Sequence, residues 1–141
     1  MTENVDAIGF TADGRLVIST NGPVHAEQVN AKAQDLIVFN NGSFGWQTNG
    51  IWDLYFDGSD VDLRGWRGDI MGTWIDADNG DIYFTATANS AVGGSSVTGD
   101  DIFVCQPSSL GAATACTISL FWDGSNYGFE YRFIDGFAIQ R

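Results

Sequence analysis

Leu54-Tyr-Phe-Asp-Gly-Ser59 returns as Leu120-Phe-Trp-Asp-Gly-Ser125, 66 residues further on (120 against 54). Asp35-Leu-Ile-Val-Phe39 returns as Asp101-Ile-Phe-Val-Cys105 at the same spacing (101 against 35), and Asp69-Ile-Met-Gly72 returns as Asp135-Gly-Phe-Ala138. Asp6-Ala-Ile-Gly-Phe10, near the start, resembles the last pair. Three landmarks on one spacing predict two imperfect copies of one unit, about 5–68 and 69–139, within a single domain. Each landmark is a short run of β-branched and aromatic residues closed by a turn residue, which is how strands are written.

Around these landmarks each unit reads as about four strands. In the first unit they fall at 7–10, 15–20, 35–39 and 51–56, and Asp13-Gly14 makes the first pair a hairpin. The polar stretch 21–34 reads as a long loop with at most one helical turn at 26–33, and 40–50 reads as a second loop. In the second unit the strands fall at 71–75, 82–86, 101–105 and 116–122, with loops at 76–81 and 89–99. Residues 131–139 restate the opening strand. Two units are too few for a propeller standing alone. The expected fold is all-β, a sandwich or barrel of two four-stranded repeats, the alternative being blades of a propeller or an open repeat array.

Composition limits the function classes. Six basic against eighteen acidic residues give a net charge of −12, which repels nucleic-acid phosphates and anionic membranes. No apolar run is long enough for membrane insertion as a helix. The chain has one His and one Lys, and it carries no nucleophile elbow, P-loop or dinucleotide fingerprint, so no catalytic residue is assigned. Paired carboxylates acting on glycosidic bonds are the enzymatic alternative.

Cys105 and Cys116 bracket ten residues between two adjacent strands, close enough to bridge; the alternative is two buried free thiols. With only His25 to add, a zinc site lacks ligands. A disulfide favours an extracellular or cell-surface location. Asn41-Gly-Ser43 also fits a glycosylation sequon.

Two groups are candidate binding sites. Asp76, Asp78, Asn79 and Asp81 place four oxygen-bearing side chains on one turn, a set that suits calcium. The same residue types also brace turns by bonding their own backbone. Asp57, Asp60 and Asp62, and Asp100 with Asp101, are lesser acidic clusters. Trp46, Arg64, Trp66 and Arg67 gather exposed-type aromatics with a third of the basic residues, a combination that stacks on sugars, binds acidic groups or meets a neighbouring subunit. Trp52 and Trp74 are expected in the core.

The elements Val5-Asp-Ala-Ile-Gly-Phe-Thr-Ala-Asp-Gly-Arg-Leu16, Trp52-Asp-Leu-Tyr-Phe-Asp-Gly-Ser-Asp-Val61 and Asp101-Ile-Phe-Val-Cys-Gln-Pro-Ser-Ser-Leu-Gly111 resemble tandem β-strand repeats of large bacterial secreted and cell-surface proteins. The resemblance implies an extracellular repeat unit within a larger architecture, and it brings no activity with it. The expected role is a structural or assembly module whose partners are neighbouring subunits or repeats. No cofactor is required, calcium being the one candidate; the alternative role is a carbohydrate-binding module taking polysaccharide, with or without calcium.

Overall fold

The structure is a computed structural model that describes residues 4–26, 28–87, 90–92 and 95–140. It is all-β, with two open four-stranded antiparallel sheets in a sandwich-like stack. Sheet 1 is built from β1 (Val5–Phe10), β2 (Leu16–Thr20), β5 (Leu36–Ser43) and β6 (Asn49–Phe56), in the order β1-β2-β5-β6. Sheet 2 uses β7 (Ile70–Ile75), β8 (Ile82–Ala86), β11 (Ile102–Ser109) and β12 (Ala115–Trp122), in the matching order from β7 to β12. Neither sheet closes on itself, so the barrel form of the expectation does not apply.

Two expected loops are hairpins. Within 21–34, β3 (Val24–Ala26) pairs with β4 (Val29–Ala31), and within 89–99, β9 (Ser90–Val92) pairs with β10 (Ser95–Val97). These strands are three residues long, too short to show a strand period in sequence, and residues 89, 93 and 94 lie outside the described set. Among the described residues of 26–33 no helical turn forms: Val29 and Ala31, on β4 of the hairpin, are buried against Ile37. The 40–50 loop is also shorter than expected. The β5–β6 and β11–β12 ladders run on past a register shift to Ser43–Asn49 and Ser109–Ala115. The terminal stretch 131–139 corrects the expectation in the other direction. It forms no strand ladder among the described residues; its backbone bonds singly instead, Ile134 N–H donating to the Gly99 carbonyl.

Both sheets are followed by a short 3₁₀ turn, η1 (Gly58–Val61) and η3 (Gly124–Tyr127), and a further one, η2 (Gly65–Arg67), leads into β7. The starts of β5 and β11 (36, 102), of β6 and β12 (49, 115) and of η1 and η3 (58, 124) each differ by 66. Those of β1 and β7 differ by 65 (5, 70).

The core lies between the sheets. Ala7, Val17, Val38 and Phe56 of sheet 1 pack with Ile75, Ile82, Phe84 and Phe103 of sheet 2, and Phe56 meets Phe84 at 6.1 Å between ring centres. Each such side chain fully buried contributes roughly 1.5–3 kcal/mol. The sheets come closest where β1 passes β7. A Cβ on Gly9 would lie 3.1 Å from Thr73 Cγ2, so a larger residue there would wedge the strands apart. The β11–β12 loop also hooks onto the end of sheet 1. Gly111 N–H donates to the Tyr55 carbonyl (2.9 Å), Thr114 N–H to Asp60 Oδ2 (2.9 Å), and Asp57 N–H to Thr114 Oγ1 (2.9 Å). A second, smaller cluster covers the outer side of sheet 1, where Val29, Ala31 and Ile37 are backed by the half-buried Trp52 and Leu54.

Candidate functional site

Most acidic side chains whose contacts are defined serve the backbone. Asp35, almost fully buried, accepts from Lys32 N–H (2.8 Å) with one oxygen and from Gly58 N–H (3.0 Å) with the other. Asp101 does the same for Thr98 (3.3 Å) and Gly124 (3.2 Å). Burial pushes the Asp35 carboxyl up, against the pull of those two N–H donors. Asp57 and Asp123 then cap the turns that follow, accepting from Ser59 N–H (3.0 Å) and Ser125 N–H (3.1 Å). Each Asp-Gly-Ser motif is therefore a clasp that ties the entry of one central strand to the exit of the edge strand beside it.

The Asp76–Asp81 turn has the same character. Asp76 accepts from Asp78 N–H (2.9 Å), Asn79 Oδ1 accepts from Asp81 N–H (2.9 Å), and Asn79 Nδ2 donates to Asp81 (3.0 Å). Asp76 N–H and Gly80 N–H close the β7–β8 connection onto the carbonyls of Asp81 and Asp76, both at 2.9 Å. The four residues are brought together, and the bonds among them form the turn itself. Among the described residues no three His, Cys, Asp or Glu side chains gather in a way that would hold a metal. His25 sits on the exposed β3–β4 hairpin, its ring nitrogen 2.7 Å from Asn30 Oδ1.

The aromatic–basic set is split. Trp46 is fully exposed at the tip of the β5–β6 hairpin. Beyond the far end of β6, Arg64 precedes η2 and Arg67 ends it, and Arg64 pairs with Asp62 at 2.9 Å. The length of β6, about 26 Å at ~3.3 Å per residue, separates the two ends. The Trp66 backbone lies in η2; its side chain is outside the described set. Trp52 and Trp74 are half-buried, Trp74 edge-on to Tyr83 at 5.3 Å.

The cysteines are joined. Cys105 and Cys116 form a disulfide, with Cα atoms 5.3 Å apart. They are diagonal neighbours, since Cys105 is paired with Ile118 and Cys116 with Pro107, so the bridge ties β11 to the edge strand β12. No helix among the described residues is long and apolar enough to cross a membrane.

One carboxyl pair was not visible in the sequence. Asp6, on β1, and Asp69, just before β7, meet where the sheets converge, and one oxygen of each is buried without a hydrogen-bond partner. Burial first, and then the charge and hydrogen bond of Asp6, push Asp69 up to about 7; burial also raises Asp6. A carboxyl raised on folding favours the folded state while protonated. Its contribution is complete below the usual carboxylate range and is lost as pH rises toward 7 and beyond. Urea unfolding at pH 5 and pH 8 should show stability lower at pH 8 by about 1–2 kcal/mol, after allowing for solvent screening at these half-exposed groups. Asp69→Asn should flatten that difference, and an unchanged slope in the variant would remove the pair as its source.

Exposed apolar side chains also gather at the two outer ends of the sheet stack. On the outer side of β1, Ile8 and Phe10 are 59% and 57% exposed. Beyond sheet 2, Tyr127, Phe129, Tyr131 and Phe133 are 68%, 45%, 92% and 57% exposed, and Tyr127 and Phe129 pack on the half-buried Trp122. None of these residues is among the candidates that the sequence offers, which are the Asp-rich turn and the Trp46–Arg67 group. The signal was present: where the first unit has Val61 and Leu63, the second has Tyr127 and Phe129. No protein family, no curated protein and no solved structure matches this chain.

Proposed function

We propose that this protein is a non-catalytic assembly module, a duplicated β unit that works by packing against neighbouring units in an extracellular or cell-surface structure. The observation that carries this reading is the pair of exposed apolar ends. Monomeric proteins scatter such residues singly, whereas contiguous apolar patches mark contact surfaces. The disulfide and the acidic surface fit an extracellular setting. The acidic side chains with defined contacts brace turns and clasps, which supports a structural use over a calcium site. Polysaccharide binding is the weaker reading, because Trp46 and the arginines stand at opposite ends of β6.

Sedimentation velocity across a wide concentration range tests the proposal. Association should rise with protein concentration. It should strengthen with added salt, because a net charge of −12 on every copy opposes contact until it is screened. A chain that remains monomeric at every concentration and salt level would refute the assembly role.

A further inference from the structure

The two exposed ends are complementary in a particular sense. Align the sheets through their matching strands, and Ile8, Phe10, Tyr127 and Phe129 fall on positions that their counterparts use to hold the other sheet. Val61 and Leu63, at the positions of Tyr127 and Phe129, are 8% and 0% exposed within the core between the sheets. Phe56, at the position of Trp122, is 0% exposed. Conversely Thr73 and Ile75, at the positions of Ile8 and Phe10, are 4% and 5% exposed because sheet 1 lies over them. Sheet 1 thus presents outward the kind of face that sheet 2 turns inward, and sheet 2 presents outward the kind that sheet 1 turns inward.

We infer that copies of this chain associate head to tail, the outer β1 face of one copy docking on the end of sheet 2 of the next. This rests on the assembly reading above and adds its faces and polarity. The occupant is a second copy because the contact continues an interface the chain already makes between its own sheets. Residues 131–139 run over the outer side of sheet 2. Ile134 N–H donates to the Gly99 carbonyl (2.9 Å), Thr85 Oγ1 donates to the Ile134 carbonyl (2.7 Å), and Phe137 covers Gly72. Phe133 lies so close over Gly99 that a Cβ there would sit 2.3 Å from its ring. The segment is fixed to sheet 2 on one side, while Tyr131 and Phe133 remain exposed for Ile8 and Phe10 of the incoming copy. A groove of about 530 Å³ between 98–100 and 130–133 opens on the same surface. The contact is heterologous, so it propagates into a ring or a filament rather than stopping at a symmetric pair.

Single-face variants decide the matter. Ile8→Glu and Phe129→Glu change exposed positions on opposite ends, and far-ultraviolet circular dichroism checks that both still fold. Each variant alone should lose association at least tenfold. Mixed in equal amounts they should form a one-to-one complex that grows no further, because each retains the face the other lacks. Tyr131→Glu, at a residue with no packing to lose, should act as Phe129→Glu does. If the parent chain associates while Phe129→Glu and Tyr131→Glu associate equally well, or if the mixture remains monomeric, head-to-tail docking is wrong although assembly stands. A parent chain that does not associate overturns both.

Discussion

Gly58→Ala should destabilise the chain by more than ~3 kcal/mol, measured as a drop in the urea midpoint. A Cβ on Gly58 would lie 2.1 Å from the Gln34 carbonyl oxygen. The colliding atom is backbone, so no rotamer change relieves it. Moving that backbone would also break the Asp35 clasp, leaving a buried carboxylate without its Gly58 donor. Gly124→Ala should behave alike, since its Cβ would lie 2.0 Å from the Asp100 carbonyl oxygen. Gly22→Ala is the control, because nothing lies within 4 Å of the added carbon. For a domain whose whole stability is of order 10 kcal/mol, the difference should be plain. Equal midpoints for Gly58→Ala and Gly22→Ala would mean the clasp does not hold the sheet ends.

Breaking the disulfide is the second large effect. The bridge closes a short loop, for which chain-entropy arguments give about 3 kcal/mol. Its structural consequence is local to β12, which has a strand partner on only one side. Reductant should lower the urea midpoint of the parent chain, and Cys105→Ala with Cys116→Ala should lower it similarly and abolish the response to reductant. A parent chain indifferent to reductant would show that β12 is held by its ladder alone. Loss of the bridge should also weaken association, because Trp122 and the aromatic end follow directly from β12.

Where the fold was legible in sequence, residues carried a local physical instruction. Asp35 and Asp101 open the central strands, Asp-Gly-Ser closes the edge strands, and continuous apolar runs such as Leu36–Phe39 and Ile102–Cys105 fill the central ones. Strand pairs and the cysteine bridge follow from such local signals. The two small hairpins were missed because three-residue strands such as Val24–Ala26 carry no period. Residues 131–139 look like a strand by composition, but pairing is a property of the neighbour, and among the described residues they meet no strand ladder. The Trp–Arg group failed for a related reason. Proximity in sequence says nothing once an eight-residue strand runs between Trp46 and Arg64. The Asp6–Asp69 pair and the exposed aromatic end depend on how one sheet lies on the other, which no single stretch of sequence encodes.

Hydrogen–deuterium exchange at low and high protein concentration tests the central claim most directly. If copies pack through the two ends of the sheet stack, raising the concentration should slow exchange in residues 5–10 and in 120–133. The Trp46 tip should be unchanged. Protection gained at the Trp46 tip instead, or gained at neither end while the protein associates, would contradict the account.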